Sequence, residues 1–112
     1  MRFLTLKIML CLLLSLIISR IEANTNNYSI SGRISDERTG SPLPGASILI
    51  KGTYLWAVSD QKGEFTIQGI QEGKYQLEVS FLGYVPATVP VNVNNSIKGL
   101  KIQLKENTLA LN

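Results

Sequence analysis

The chain has 112 residues, 45% of them hydrophobic, with eleven Lys and Arg against eight Asp and Glu, no histidine and a single cysteine. That length gives one domain and one modest core. Without His, and with Cys11 confined to an N-terminal apolar run, the commonest general bases, nucleophiles and metal ligands are missing, so the composition points away from enzymes and metal centres. The net charge of +3 is also no argument for nucleic acid, because residues 24–112 carry eight cations against seven anions and the remaining excess comes from Arg2, Lys7 and Arg20.

Residues 1–23 read as a secretory signal. Arg2 and Lys7 give a positive start, and Ile8 to Ile18 is an apolar run of eleven residues. A bilayer span needs about 20. Polar Ser19, Arg20 and Glu22 follow, and Ala23 supplies a small residue for cleavage. Cys11 follows Leu10 and not a small residue, so a lipoprotein site is not expected. The reading divides the chain into a signal peptide over 1–23, a short tail over 24–27, a β-domain over 28–106 and a C-terminal tail over 107–112. Once exported, the domain has no cysteine and must be held by packing alone.

From Tyr28 onward the sequence is a series of short alternating runs separated by Gly, Pro, Asp and Asn, the pattern of an antiparallel sandwich. Ile30, Gly32 and Ile34 make one face of a first strand, and 36–40 a polar, solvated turn. After Pro42-Leu43-Pro44-Gly45, a second strand carries Ala46, Ile48 and Ile50. Tyr54, Trp56 and Val58 alternate with Leu55 and Ala57 in a third strand that is apolar on both faces.

That strand leads into Ser59-Asp60-Gln61-Lys62-Gly63-Glu64-Phe65-Thr66-Ile67, which predicts a hairpin. Asp60 can accept backbone N–H groups across a tight turn, and Gly63 supplies a position with positive φ. Phe65 and Ile67 then face inward, with Glu64, Thr66 and Gln68 outward. A calcium loop is the alternative for Asp60 and Gly63, but Gln61 and Lys62 stand where further oxygen ligands would be needed, so a structural turn without metal is expected.

Tyr75, Leu77 and Val79 predict the longest strand, and 81–84 a corner. A sixth strand is punctuated by Pro86 and Pro90 and belongs on a sheet edge. Leu100, Ile102 and Leu104 close the domain as a seventh strand, the usual size for a sandwich.

The carboxylates sit mostly in turns or at outward positions, so no catalytic residue and no cofactor are expected. The sequons at Asn27 and Asn94 are attributed to chance in an asparagine-rich chain. Tyr54 and Trp56 are the one surface feature with a plausible binding role. Packing across a hairpin or into the rim of the core, contact with a protein partner and stacking on a glycan are all open to them.

Gly32-Arg33-Ile34-Ser35-Asp36, Thr39-Gly40, Pro42 to Ala46, Lys51-Gly52-Thr53, Ser59-Asp60, Gly63-Glu64-Phe65, Gly73-Lys74-Tyr75 and Gly83-Tyr84 follow one another in a familiar order and spacing. In this the chain resembles the carboxypeptidase regulatory-like domain, in the version found at the N-terminus of TonB-dependent outer-membrane receptors of Bacteroidota. The resemblance implies a seven-stranded transthyretin-like (prealbumin-like) β-sandwich in the periplasm, non-enzymatic, with a protein partner in the periplasm or outer membrane. Two features depart from the family pattern: Trp56 stands where a small residue is usual, and Leu109 to Asn112 end the sequence about where such receptors run on into plug and barrel. The expectation is therefore an accessory or signalling module, either free-standing or the start of a truncated receptor. A carbohydrate-binding module using Tyr54 and Trp56 is the alternative.

Overall fold

A computed structural model describes residues 2–18 and 27–108, with side chains for 2–15 and 27–108. The Ala23 cleavage position, the tail residues 24–26 and the terminal 109–112 lie outside the described residues. Helix α1 (Arg2–Ile18) carries the apolar run, and its described side chains are all exposed. Among the described residues no helix is long and apolar enough to cross a membrane.

Seven strands follow: β1 (Tyr28–Asp36), β2 (Ser47–Ile50), β3 (Trp56–Val58), β4 (Glu64–Ile70), β5 (Gly73–Ser80), β6 (Ala87–Val93) and β7 (Ile97–Leu104). They form a three-stranded sheet, β4-β1-β7, and a four-stranded sheet, β3-β2-β5-β6. Period-2 alternation sends one side of each sheet inward. Ile30 and Ile34 from β1, Phe65 and Ile67 from β4, and Ile102 and Leu104 from β7 meet Ile48 and Ile50 from β2 and Leu77 and Val79 from β5. Among the described residues all the buried apolar ones lie between Ile30 and Leu104, and none of them is in α1. The seven-stranded β-sandwich and the edge position of the proline-bearing β6 are as the sequence predicts.

Two expectations are corrected. The sandwich is not wholly antiparallel, because β1 pairs β4 antiparallel on one side and β7 parallel on the other. β7 reaches that position only after the chain has crossed through the other sheet, and no local pattern marks such a pairing. Gly32 makes the approach feasible: a Cβ there would come within 2.9 Å of the Leu100 Cβ and closer still to its carbonyl oxygen. Nor is the Asp60 segment a hairpin, since β3 pairs with β2 and β4 with β1. Its turn carries the chain from one sheet to the other, a choice set by the packing of Phe65 and Ile67 and not by the turn residues.

Candidate functional site

β3 is shorter than its alternation suggests, and it is an edge strand. Leu55 and Ala57 pack against the core, which turns Tyr54, Trp56 and Val58 to the outside. Their exposures are 99%, 63% and 50%. Neither Tyr54 nor Trp56 is buried in the core: both present apolar surface to solvent, and Trp56 stands directly opposite Leu49 across the pairing of β3 with β2. Val58 belongs to the same patch, and its place in the alternation beside Tyr54 and Trp56 was the signal for it.

The outer face of the four-stranded sheet continues from this patch as a polar surface. Register sets Glu78 beside Leu49 and Thr88 beside Glu78. Next to them Lys51, Lys74, Gln76, Pro90 and Asn92 line a shallow groove of about 630 Å³. An indole beside amide, carboxylate and ammonium groups can stack on a flat apolar face and hydrogen-bond its rim.

At the crossover turn, Asp60 accepts the N–H groups of Lys62 and Glu64 on Oδ1, both at 2.9 Å. Its own peptide bonds both ways, donating to the Glu64 carbonyl and accepting from Gly63, again at 2.9 Å. Gly63 has φ +74°. A Cβ at Gly63 would also collide with the Ile34 carbonyl oxygen and lie 3.2 Å from Pro42 Cβ, because the Gly63 carbonyl accepts the Ile34 N–H at 2.7 Å. Phe65 is buried immediately after. One oxygen of the Asp60 carboxylate is thus occupied by two backbone donors of the turn.

Two buried polar groups were not apparent beforehand. Ser59, 5% exposed, donates to the Leu43 carbonyl at 2.6 Å and accepts the Ala46 N–H at 2.9 Å, pinning the 42–46 segment to the end of β3. Asp36 was expected in a solvated turn, yet it is 6% exposed. One carboxylate oxygen accepts the N–H groups of Arg38 (2.8 Å) and Thr39 (3.0 Å), and the other accepts the Tyr84 hydroxyl at 2.7 Å. The Tyr84 bond, then the backbone donors, hold Asp36 at about 2 against an ordinary 3.8, outweighing the opposing desolvation. The same bond pushes the Tyr84 phenol up. Only a contact across 48 residues explains the burial, so the acidic turn looked solvated in sequence. Phe81 stacks obliquely on Tyr84, centroids 5.5 Å apart, and fixes the ring.

This arrangement can bind through an apolar edge and a polar face. The two unusual side chains, Asp36 and Ser59, are consumed by structural hydrogen bonds. No group of three or more His, Cys, Asp or Glu that could hold a metal occurs among the described residues.

Residues 30–112 match the family described as CarboxypepD_reg-like domain. The sequence is 30% identical over 104 residues to the TonB-dependent receptor P3 of Formosa agariphila, a match covering 93% of this chain and 10% of the receptor. It is 33% identical over 85 residues to the TonB-dependent receptor SusC of Bacteroides thetaiotaomicron, covering 76% of this chain and 8% of that one. The chain thus spans about a tenth or less of the length of these relatives. Among solved structures, a chain of a type II cohesin–X–dockerin complex from Acetivibrio cellulolyticus is similar with a TM-score of 0.61 at 25% identity, over 70% of this chain and 58% of that chain.

Proposed function

The chain belongs to the CarboxypepD_reg-like domain family, and from that membership we propose that it is a non-enzymatic periplasmic β-sandwich module serving a TonB-dependent outer-membrane receptor as an accessory or signalling domain. The observation that carries this reading is the match of 93% of the chain to one tenth of a receptor, which is the proportion of one domain to a whole transporter. In this reading residues 1–23 direct export, residues 28–106 form the module, and its sheet edges and loops meet a protein partner in the periplasm or outer membrane. The spent hydrogen-bonding capacity of Asp36 and Ser59 supports a binding role over a catalytic one.

The test is to express a C-terminally tagged chain in a Bacteroidota host, fractionate the cells and cross-link before solubilisation. The reading expects the tagged protein in the periplasmic or outer-membrane fraction, cross-linked to a component of a TonB-dependent receptor system. Recovery in the cytoplasm, or cross-links to unrelated proteins only, would overturn it.

Carbohydrate binding is the second reading, favoured by the exposure of Tyr54 and Trp56 beside a polar sheet face. Trp56 is the only tryptophan, so its emission reports directly on stacking. This reading expects a shift with at least one member of a panel of soluble glycans and loss of binding in Tyr54→Ala. Unchanged emission across the panel would end it.

A further inference from the structure

An open sandwich exposes the backbone of its edge strands, and each such edge invites another strand unless something guards it. Three of the four edges here are guarded. β6 carries Pro90. β7 carries exposed Lys98 and Lys101, with a register shift near its start where Gly99 has φ +69°. β4 is broken by a register shift at Gly69, φ +77°, and begins with exposed Glu64. β3 has only its shortness, three residues, in place of such residues: Trp56-Ala57-Val58 contains no charge, proline or glycine, and its outward side chains are apolar and exposed.

The backbone of β3 is also phased for pairing. The Leu55 carbonyl accepts from Ile50 N–H, and the Ser59 N–H donates to the Ala46 carbonyl, so the odd-numbered residues 55, 57 and 59 address β2. By the alternation of an antiparallel ladder, the N–H and C=O of Trp56 and Val58 then point to the open edge.

We propose that this edge pairs with the β3 of a second copy of the chain, antiparallel about a two-fold axis through Ala57. The segment is self-complementary in that register. Trp56 falls opposite Val58 of the second copy, each pair exchanging both backbone hydrogen bonds, while the small Ala57 residues meet on the axis. Each Trp56 ring then covers a Val58 on the outer face, an aromatic with β-branched cross-strand pair. The four-stranded sheets join into one continuous sheet, and the polar face beside Trp56 stays open. A second copy supplies this register automatically, with its own Val58 opposite Trp56. The contact is smaller than a standard interface, so the free domain dimerises weakly. This inference rests on the edge geometry and not on the receptor reading.

The test is sedimentation equilibrium of a chain beginning at Asn24, loaded from about 10 µM to about 1 mM. The mass should rise with concentration from monomer toward dimer. Val58→Pro removes only a donor aimed at the open edge, and Val58→Lys introduces the guard that β7 already uses. Both should keep the β circular dichroism spectrum and stay monomeric at every loading; Val58→Lys carries the test alone if the proline variant does not fold. A parent that stays monomeric to the highest loading overturns the proposal, as does dimerisation undiminished in folded Val58→Lys. Neither result bears on whether the chain is cross-linked to a receptor.

Discussion

Asp36 shows how a single carboxylate can tie distant parts of this sandwich together. Its two oxygens join the turn after β1 to the 81–84 corner through the Tyr84 hydroxyl. Because the folded state holds it at about 2, below its ordinary 3.8, the carboxylate contributes stability that is fully present above pH 4 and is lost as pH falls through 2. Two outcomes follow. In Tyr84→Phe the Asp36 resonance followed by NMR should titrate closer to the ordinary value. In Asp36→Asn the Tm should be lower than the parent's at pH 7 but fall less between pH 4 and pH 2. An unchanged Asp36 titration in Tyr84→Phe would mean that the backbone donors alone set the shift. Gly63 is the other residue whose environment exceeds its local role. Positive φ alone would make a β-branched replacement cost on the order of 1–3 kcal/mol. The close approach of the Ile34 carbonyl adds a collision that even alanine meets, so Gly63→Ala should cost more than the roughly 1 kcal/mol expected for conformation alone. Urea unfolding reads the difference. The glycine and the aspartate of that turn were legible in sequence because turn chemistry is local. The Asp36 to Tyr84 bond was not, because it joins residues 48 apart.

At the scale of elements, the strands themselves were legible and their partners were not. Alternation located all seven, since each buries one face and wets the other. It also separated Phe65 and Ile67, buried, from Glu64 and Thr66, exposed. Phe65→Ala should therefore cost about 3–5 kcal/mol, and Thr66→Ser almost nothing. Equal melting temperatures for Phe65→Ala and the parent would contradict the packing described here. What alternation cannot say is which edge a strand joins. That is why the Asp60 turn looked like a hairpin, and why the parallel place of β7 went unseen. Ser59 marks the same gap: it sits at the end of β3, reads as a turn residue, and in fact staples the proline-rich approach to β2. Ser59→Ala leaves the buried Ala46 N–H and Leu43 carbonyl without this partner and should cost about 1–3 kcal/mol. Ser59→Thr keeps the hydroxyl and should lose less if the extra methyl is accommodated, a contrast that chemical denaturation of the two variants resolves.

For the whole molecule the decisive pairing is that of the first strand with the last. β1 lies at the centre of its sheet, with β4 on one side and β7 on the other. The three-stranded sheet is therefore incomplete until nearly the entire domain is present. β7 brings Ile102 and Leu104 into the core and places Leu100 over the gap left by Gly32. Burying each such side chain is worth about 1.5–3 kcal/mol, against a total stability on the order of 5 kcal/mol for a domain of this size without disulfides. Losing β7 would remove both contributions and leave the backbone of β1 unpaired along one side of the core. A chain running from Asn24 to Asn95 should accordingly show the narrow amide dispersion of an unfolded polypeptide. One running from Asn24 to Thr108 should show the full dispersion of a β-sandwich and a single cooperative melt, since the described side chains of α1 are all exposed and lie outside the core. If the chain ending at Asn95 retained a cooperative transition, the two sheets would be separable units, and the pairing of β1 with β7 would be a surface addition rather than the closure of the fold.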